Sequence, residues 1–123
     1  MDTSVRNGLL YEVYGFMLTE TQRELCEAYY YEDLSLSEIA ENRSVSKQAV
    51  STQLARAIHK MEQMESRLGV VETELVAEKA VPVLQKLLAE GSGMSIREGR
   101  EALEALVHAL ARPMEPEKGE RDV

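Results

Sequence analysis

The sequence predicts an all-α fold, and three observations support this prediction. Apolar residues recur every three to four positions along most of the 123 residues, which is the spacing of one helix face. Residues 19–22, 35–38 and 95–98 each have the Ser/Thr-x-x-Glu/Gln pattern of a helix N-terminal capping box. Trp is absent and Phe occurs once, so aliphatic side chains must fill the core, and no segment alternates as a strand does.

The first two helices are expected over residues 4–17 and 20–31. The apolar side of the first consists of Val5, Leu9, Val13 and either Phe16 or Met17. Thr19 caps the second helix, whose inward residues are Leu25, Ala28 and Tyr29. Cys26 lies on the same apolar helix without a nearby His, so we expect a buried, unreactive thiol there.

Two further capped helices follow. The third is expected from Ser35 to about Asn42, a residue type that tolerates the left-handed conformation at a helix end. The fourth begins at the Ser46 cap and continues to about Leu68. The predicted apolar faces are Leu36, Ile39 and Ala40 in the third helix, and Val50, Leu54, Ala57, Ile58, Met61 and Leu68 in the fourth.

These two helices predict a helix-turn-helix, because two capped helices are joined by a turn of about four residues. Ala40 is small where the helices would cross closely, and Val45 is expected to fill their junction. The sequence thus predicts a helix-turn-helix domain over residues 1–69.

The remainder is expected to form a C-terminal helical segment over residues 70–112, used for packing or dimerisation, and a flexible tail over residues 113–123. Pro82 should kink or restart the first of its helices, and residues 91–93 form a Gly-Ser-Gly break. In the last helix, Leu103, Leu106, Val107 and Leu110 are expected to face inward. More leucines are present than two helices usually bury, which suggests a homodimer interface at Leu84, Leu87, Leu88, Leu103, Leu106 and Leu110, with Met64 as an additional interface residue.

Charge is unevenly distributed along this acidic chain. Fourteen Lys and Arg against 22 Asp and Glu give a net charge of −8, which argues against a general nucleic-acid coating protein. Residues 42–61 nevertheless contain no acidic residue and four basic ones. The exposed side of the fourth helix is therefore a candidate surface for an anionic partner, formed with the preceding turn by Arg43, Ser44, Lys47, Gln48, Ser51, Thr52, Arg56 and Lys60. The alternative is that these residues are simply the solvated face of an amphipathic helix. If this face does bind a partner, the sequence leaves open whether that partner is DNA, RNA or protein.

Five segments carry a family resemblance. They are Leu18-Thr19, Gln22-Arg23, Tyr29-Tyr30, Glu-Asp-Leu-Ser-Leu-Ser-Glu-Ile-Ala-Glu at residues 32–41, and Val-Ser-Lys-Gln-Ala-Val at residues 45–50. They resemble region four of bacterial sigma factors, the module that reads the upstream promoter element. More closely, the sequence resembles the small bacterial YlxM family of stand-alone helix-turn-helix proteins, specifically over residues 9–68.

The resemblance implies a sigma-region-four-like helical domain without a wing, with additional C-terminal helices. It also implies a non-enzymatic regulatory or accessory role, in the cytoplasm, in the signal recognition particle pathway. The implied partners are the particle's GTPase, its RNA or its receptor. Members often carry Arg where Lys47 stands and an aromatic residue where Ser51 stands, and Lys lacks the forked donor set that Arg uses on bases.

Two other functions remain open at this point. The chain could be a sequence-specific DNA-binding transcriptional regulator, which the basic residues of the helix-turn-helix favour. It could also be a dimeric protein-interaction scaffold, which the leucine-rich C-terminal segment favours.

Catalysis, cofactors and metals are not expected. His59 and His108 are far apart without a Cys or carboxylate cluster, and no P-loop occurs. Glu98, Glu101 and Glu104 are expected to line a solvated helix surface beside Arg97 and Arg100. We expect no disulfide framework with one Cys, no secretory signal and no membrane insertion, since apolar runs are far shorter than the ~20 residues a span needs.

Overall fold

A computed structural model describes residues 1–90 and 96–111 of the chain. This part contains no strand, and its six α-helices confirm the predicted all-α fold class. The helices are α1 (Thr3–Tyr14), α2 (Glu20–Cys26), α3 (Leu36–Arg43), α4 (Lys47–Leu68), α5 (Val70–Glu90) and α6 (Ile96–Leu110). A 3₁₀ turn follows α1 at Gly15–Met17, and a π-helical turn follows α2 at Glu27–Tyr31.

The chain divides into two compact units. Unit 1 is Met1–Ser66, and unit 2 begins at Arg67. No helix in the described ranges combines the length and the apolar character that a bilayer crossing requires. The predicted Gly-Ser-Gly break at residues 91–93 and the tail at residues 113–123 lie outside the described residues.

The helix starts in unit 1 follow the capping chemistry predicted from the sequence. The Thr19 hydroxyl accepts a bond from the Gln22 amide, and the Gln22 side chain accepts one from the Thr19 amide. Ser35 and Glu38 form the same reciprocal pair at the start of α3. Ser46 Oγ accepts from the Ala49 amide at 3.0 Å and so caps α4. The fourth predicted start, at Ser95, lies outside the described residues.

The turn between α3 and α4 differs from the prediction in two details. The left-handed residue is Ser44 (φ 56°) and not Asn42, because α3 continues through Arg43 before the chain reverses. The Val45 amide donates to the Ala40 carbonyl at 3.0 Å, which closes the helix end. Since the left-handed turn leaves the Val45 side chain at the surface, the prediction that Val45 fills the junction is wrong.

The core of unit 1 follows the predicted faces of α3 and α4 with one exception in α4. Of the residues predicted to face inward in the second helix, Leu25 is buried, whereas Ala28 and Tyr29 are half-buried. The buried residues of α2, α3 and α4 include Leu25, Cys26, Ile39, Ala40, Val50, Leu54, Ala57 and Met61. Leu36 and Ile58 are half-buried. Leu68, at the end of α4, is exposed, so its predicted inward placement is wrong.

The predicted apolar face of α1 is confirmed only in part. Leu9, Val13 and Met17 are half-buried, but Val5 is exposed and Phe16 is 78% exposed. The buried residues of α1 are Leu10, Tyr11 and Tyr14. Two physical features account for this difference. First, the chain tightens to a 3₁₀ turn at Gly15–Met17, which ends the α-helical spacing before Phe16. Second, the hydroxyls of the buried Tyr11 and Tyr14 each donate a hydrogen bond to a carboxylate.

A buried polar pair joins α1 to α4. The Tyr14 hydroxyl donates to Glu65 Oε1 at 2.6 Å, and the two residues are 2% and 5% exposed. Glu65 follows Met61 on the buried face of α4, at a position where the helical spacing would place an apolar residue. A buried carboxylate is tolerated only when it is hydrogen-bonded, so Tyr14 makes Glu65 acceptable in the core.

An ion pair joins the same two helices nearer the surface. Arg6 donates from Nε and Nη2 to the two carboxylate oxygens of Glu62, at 3.0 and 2.7 Å. This forked geometry is the strong form of an Arg–carboxylate contact. The hydrogen bonds from Arg6 lower the pKa of Glu62 below its ordinary value.

Unit 2 is built on the packing of α5 against α6. Gly99 lies so close to α5 that a Cβ there would be 2.7 Å from Leu87 Cδ2, and Ala80 and Ala109 are also buried. Small residues therefore let the two helices approach closely. This overturns the predicted inward placement of Leu103, Val107 and Leu110, which are exposed, because α6 turns its small residues toward α5 instead.

Pro82 does not restart the helix, contrary to one of the predicted effects. Helix α5 runs without interruption from Val70 to Glu90 with Pro82 inside it. Pro82 removes the amide that would bond the Glu78 carbonyl. Both residues are exposed, so water can replace the lost bond.

Removing the Tyr14 hydroxyl should destabilise unit 1. In Tyr14→Phe the buried Glu65 carboxylate loses a donor, and we expect the free energy of unfolding to fall by about 1–3 kcal/mol. Urea unfolding followed by circular dichroism measures this. Tyr31→Phe, which alters an exposed tyrosine, should stay within about 0.5 kcal/mol of the parent. Equal effects of the two variants would contradict the importance of the buried pair.

The Arg6–Glu62 pair should make stability depend on pH. Because the pKa of Glu62 is lowered in the folded state, its stabilising contribution is complete above the ordinary value of 4.5. The contribution is lost as the pH falls through the lower folded-state pKa. A double-mutant cycle of Arg6→Gln and Glu62→Gln should give a coupling energy of about 0.5–1 kcal/mol at pH 7 that disappears in acid. A coupling energy that grows on acidification would contradict this assignment.

Candidate functional site

The first half of α4 presents one sealed side and one open side. Val50, Leu54 and Ala57 are buried. The surface of α4 outside this buried face, together with the preceding turn, carries a set of residues that we call the cationic strip, in which Thr52 and Lys60 are half-buried and the others exposed. Its members are Arg43, Ser44, Lys47, Gln48, Ser51, Thr52, Arg56 and Lys60.

The positive charges of the cationic strip differ in how they are compensated. Arg43 Nη1 lies 2.8 Å from Glu24 Oε2, so a carboxylate of α2 offsets this charge. Within the described ranges, no carboxylate forms a salt bridge with Lys47, Arg56 or Lys60. These three side chains therefore remain available to an external anion.

The start of α4 adds a backbone contribution to the strip. The helix dipole places partial positive charge at its first turn, which holds Lys47 and no acidic residue. Ser46, Lys47 and Gln48 are exposed, so an approaching anion meets this end of the helix directly.

A groove runs beside the strip within unit 1, which sequence reasoning missed. It has a volume of about 500 Å³ and is open to solvent. Ser51, Ala55 and His59 of α4 form one wall. The remaining lining residues are Asn7, Tyr29, Tyr30, Leu36, Leu54, Ile58 and Glu62.

The two adjacent tyrosines give the groove its aromatic character. Their rings meet edge to face with centroids 5.0 Å apart, and Asn7 donates to the Tyr30 hydroxyl at 3.1 Å. Burial raises the pKa of Tyr30, so the hydroxyl stays protonated. The predicted inward placement of Tyr29 is confirmed only in part, because both tyrosines are half-buried.

A local backbone irregularity places these tyrosines at the groove. The Glu32 amide bonds the Glu27 carbonyl at 3.0 Å, five residues earlier, which is π-helical spacing. The extra residue in this turn shifts the following side chains around the helix axis. Single π-turns within helices are frequent at functional sites. The Tyr-Tyr pair was the one sequence signal that could have indicated the groove.

The described residues provide no centre for metal or thiol chemistry. No group of three or more His, Cys, Asp or Glu in residues 1–90 and 96–111 is arranged to hold a metal ion. Cys26 is buried as predicted, and burial raises its pKa to about 11, which keeps the thiol protonated and unreactive.

The six leucines predicted to form a dimer interface differ in their exposure to solvent. Leu84, Leu87 and Leu106 are half-buried, whereas Leu88, Leu103 and Leu110 are exposed. On the solvated side of α6, Arg97 pairs with Glu101 and Arg100 with Glu104, each at 3.1 Å, in agreement with the predicted charged surface.

Comparison with known proteins agrees with this fold. The family model UPF0122, described as "Putative helix-turn-helix protein, YlxM / p13 like", matches residues 1–94. A UPF0122 protein of Symbiobacterium thermophilum is 39% identical over 100 residues, covering 81% of this chain and 94% of the relative. A UPF0122 protein of Bacillus mycoides is 32% identical over 106 residues, covering 86% and 96%. One of Thermoanaerobacter is 48% identical over 63 residues, covering 51% and 54%.

The family description names a structural motif and no catalytic activity. The family model covers most of the chain, and two relatives above 30% identity align along nearly their whole length. The helix-turn-helix of α3 and α4 is the structural feature that this description names. The chain therefore belongs to the UPF0122 family of YlxM / p13-like helix-turn-helix proteins.

Proposed function

We propose that this chain is a non-enzymatic, cytoplasmic regulatory protein of the signal recognition particle pathway, and that it meets an anionic partner through the cationic strip. The family resemblance supports the choice of pathway. The observation that carries the proposed contact surface is the exposure of Lys47 and Arg56 on a helix that buries Val50, Leu54 and Ala57 against the core of unit 1.

The RNA of the particle is the partner whose chemistry fits the strip best. The protein carries a net charge of −8, so long-range electrostatics do not draw it to nucleic acid in general. Binding then depends on a local match, in which Lys47, Arg56 and Lys60 contact phosphates. The adjoining groove offers Tyr29 and Tyr30 to an unpaired base, which is how proteins commonly read RNA loops.

Charge reversal in the strip should weaken this binding. We expect Lys47→Glu and Arg56→Glu each to reduce affinity for the particle RNA by about tenfold at low salt. Each variant should also flatten the dependence of log affinity on log salt, by roughly 0.7 per lost phosphate contact. Fluorescence anisotropy with labelled particle RNA, alone and bound to its GTPase, measures both quantities.

The matched control is Lys86→Glu. It makes the same change in net charge at an exposed position on α5, in unit 2 and not among the residues of the strip, and should leave affinity unchanged. If the folded wild-type protein retains neither the particle's GTPase nor its RNA at modest salt, the proposed pathway is wrong. If Lys86→Glu weakens binding as much as the strip variants do, net charge and not the strip controls the interaction.

Sequence-specific DNA binding is a second candidate, favoured by the geometry at the start of α4. Lys47, Gln48 and Ser51 are exposed directly after the turn, where a recognition helix meets base edges. Their short or polar side chains permit close approach to the major groove of DNA. The capped turn also leaves this end of α4 accessible.

Selection from a randomised duplex library tests the DNA candidate. A DNA-binding regulator should enrich a defined sequence, and Lys47→Glu and Arg56→Glu should each abolish its footprint. Gln48→Ala should instead relax the sequence preference by about 1–3 kcal/mol at one position. The absence of an enriched site, or binding that does not change with salt, would exclude this candidate.

A further inference from the structure

Helix α6 has an apolar face that is exposed in the described part of unit 2. Ile96, Leu103, Val107 and Leu110 are 85%, 51%, 54% and 67% exposed. A shallow furrow of about 550 Å³ follows this face. Its lining residues are Arg100, Leu103, Glu104, Val107, His108 and Ala111, all of α6 or directly after it.

The spacing along this face is that of a coiled-coil seam. Ile96, Arg100, Leu103, Val107 and Leu110 follow one another at intervals of four, three, four and three residues. Such a heptad stripe stays on one side of a helix and is buried when a second helix packs along it. The inner side of α6, which carries Gly99 and Ala109, is already occupied by α5. The seam is therefore a second, independent packing face.

We propose that the seam pairs with the same seam of a second copy of this chain, with the two α6 helices antiparallel. Charge selects the orientation. A parallel pair in register would place Arg100 against Arg100 at a seam position, where two like charges would be desolvated together. The antiparallel pair places Arg100 opposite Leu103 of the second copy and Val107 opposite Ile96.

The flanking charges are complementary in this antiparallel register. Arg97 and Glu104 both occupy the position that follows a seam residue, on the same edge of the helix. Within one copy Arg97 pairs with Glu101, and Glu104 pairs with Arg100. In the antiparallel pair, Arg97 of each copy also lies beside Glu104 of the other, which adds two symmetry-related contacts between opposite charges. A face with basic and acidic residues at these two positions is thus complementary to its own copy, as a two-fold interface requires.

The size of the seam determines the expected affinity. A helix of 15 residues is about 22 Å long, and Ile96, Leu103 and Val107 of each copy form a small interface in this register. We therefore expect a reversible dimer with a dissociation constant in the micromolar range. This inference concerns unit 2 alone and does not depend on the proposed function, which rests on unit 1.

Sedimentation equilibrium of the full chain from about 1 to about 200 µM tests the proposal. The average mass should rise with concentration from 13.8 kDa toward twice that value. Leu103→Glu combined with Val107→Glu should keep the protein monomeric throughout. Phe16→Glu, which replaces an even more exposed apolar residue in unit 1, should dimerise as the parent does.

Charge exchange tests the register and remains informative even if the double glutamate variant unfolds. Glu104→Arg should weaken the dimer about tenfold, since it places two like charges together in each of two symmetric contacts. Adding Arg97→Glu should restore the affinity. A wild-type protein that is monomeric at every concentration would overturn the proposal. A dimer that is insensitive to these substitutions would overturn the assigned surface, and failure of the second substitution to rescue the first would overturn the antiparallel register.

Discussion

The burial of one face of α4 is the constraint on which unit 1 depends. Val50, Leu54, Ala57 and Met61 recur at helical spacing and are almost inaccessible to water. Glu65 continues this face and is tolerated there because Tyr14 donates to its carboxylate. Since the face is fixed over several turns, the orientation of the opposite side of the helix is fixed as well. The surface position of Lys47, Gln48, Ser51 and Arg56 is thus a consequence of core packing.

Electrostatics give this surface its selectivity. The net negative charge of an acidic protein opposes its approach to nucleic acid, but salt screens charges that lie more than the Debye length apart, about 8 Å at physiological salt. Within that distance the local charge decides, and residues 42–61 contain no acidic side chain. One of their cations, Arg43, is paired with Glu24, so the uncompensated charge lies on α4 itself. A protein with such a surface binds nucleic acid poorly in general. It favours a partner whose phosphates lie opposite the few uncompensated cations of α4.

Each unit leaves one of its helices with an open side. In unit 1 the open side of α4 is polar and basic, and it borders a groove containing two tyrosines. In unit 2 the open side of α6 is apolar at seam spacing. These chemistries suit different partners: a polyanion for α4 and another apolar helix for α6. A dimer formed through α6 would present two copies of the α4 surface in one particle, which raises avidity for a partner that carries two binding positions.

The sequence by itself determined the all-α class, the helix starts at Thr19, Ser35 and Ser46, and the buried face of α4 as far as Met61. These features depend on local chemistry, namely a hydroxyl that caps an adjacent amide and a 3.6-residue spacing, so a single segment contains all the information they need. Only the tertiary structure decided that Tyr14 and Glu65 belong to the core, because their 51-residue separation conceals the hydrogen bond that makes both acceptable there. It likewise decided that Gly99 and Ala109, and not Leu103 or Leu110, are buried on the inner side of α6, because the close approach of two helices favours small side chains over large ones. The tyrosine groove also required the structure, since Tyr29 and Tyr30 lie in a π-turn that a 3.6-residue spacing does not predict.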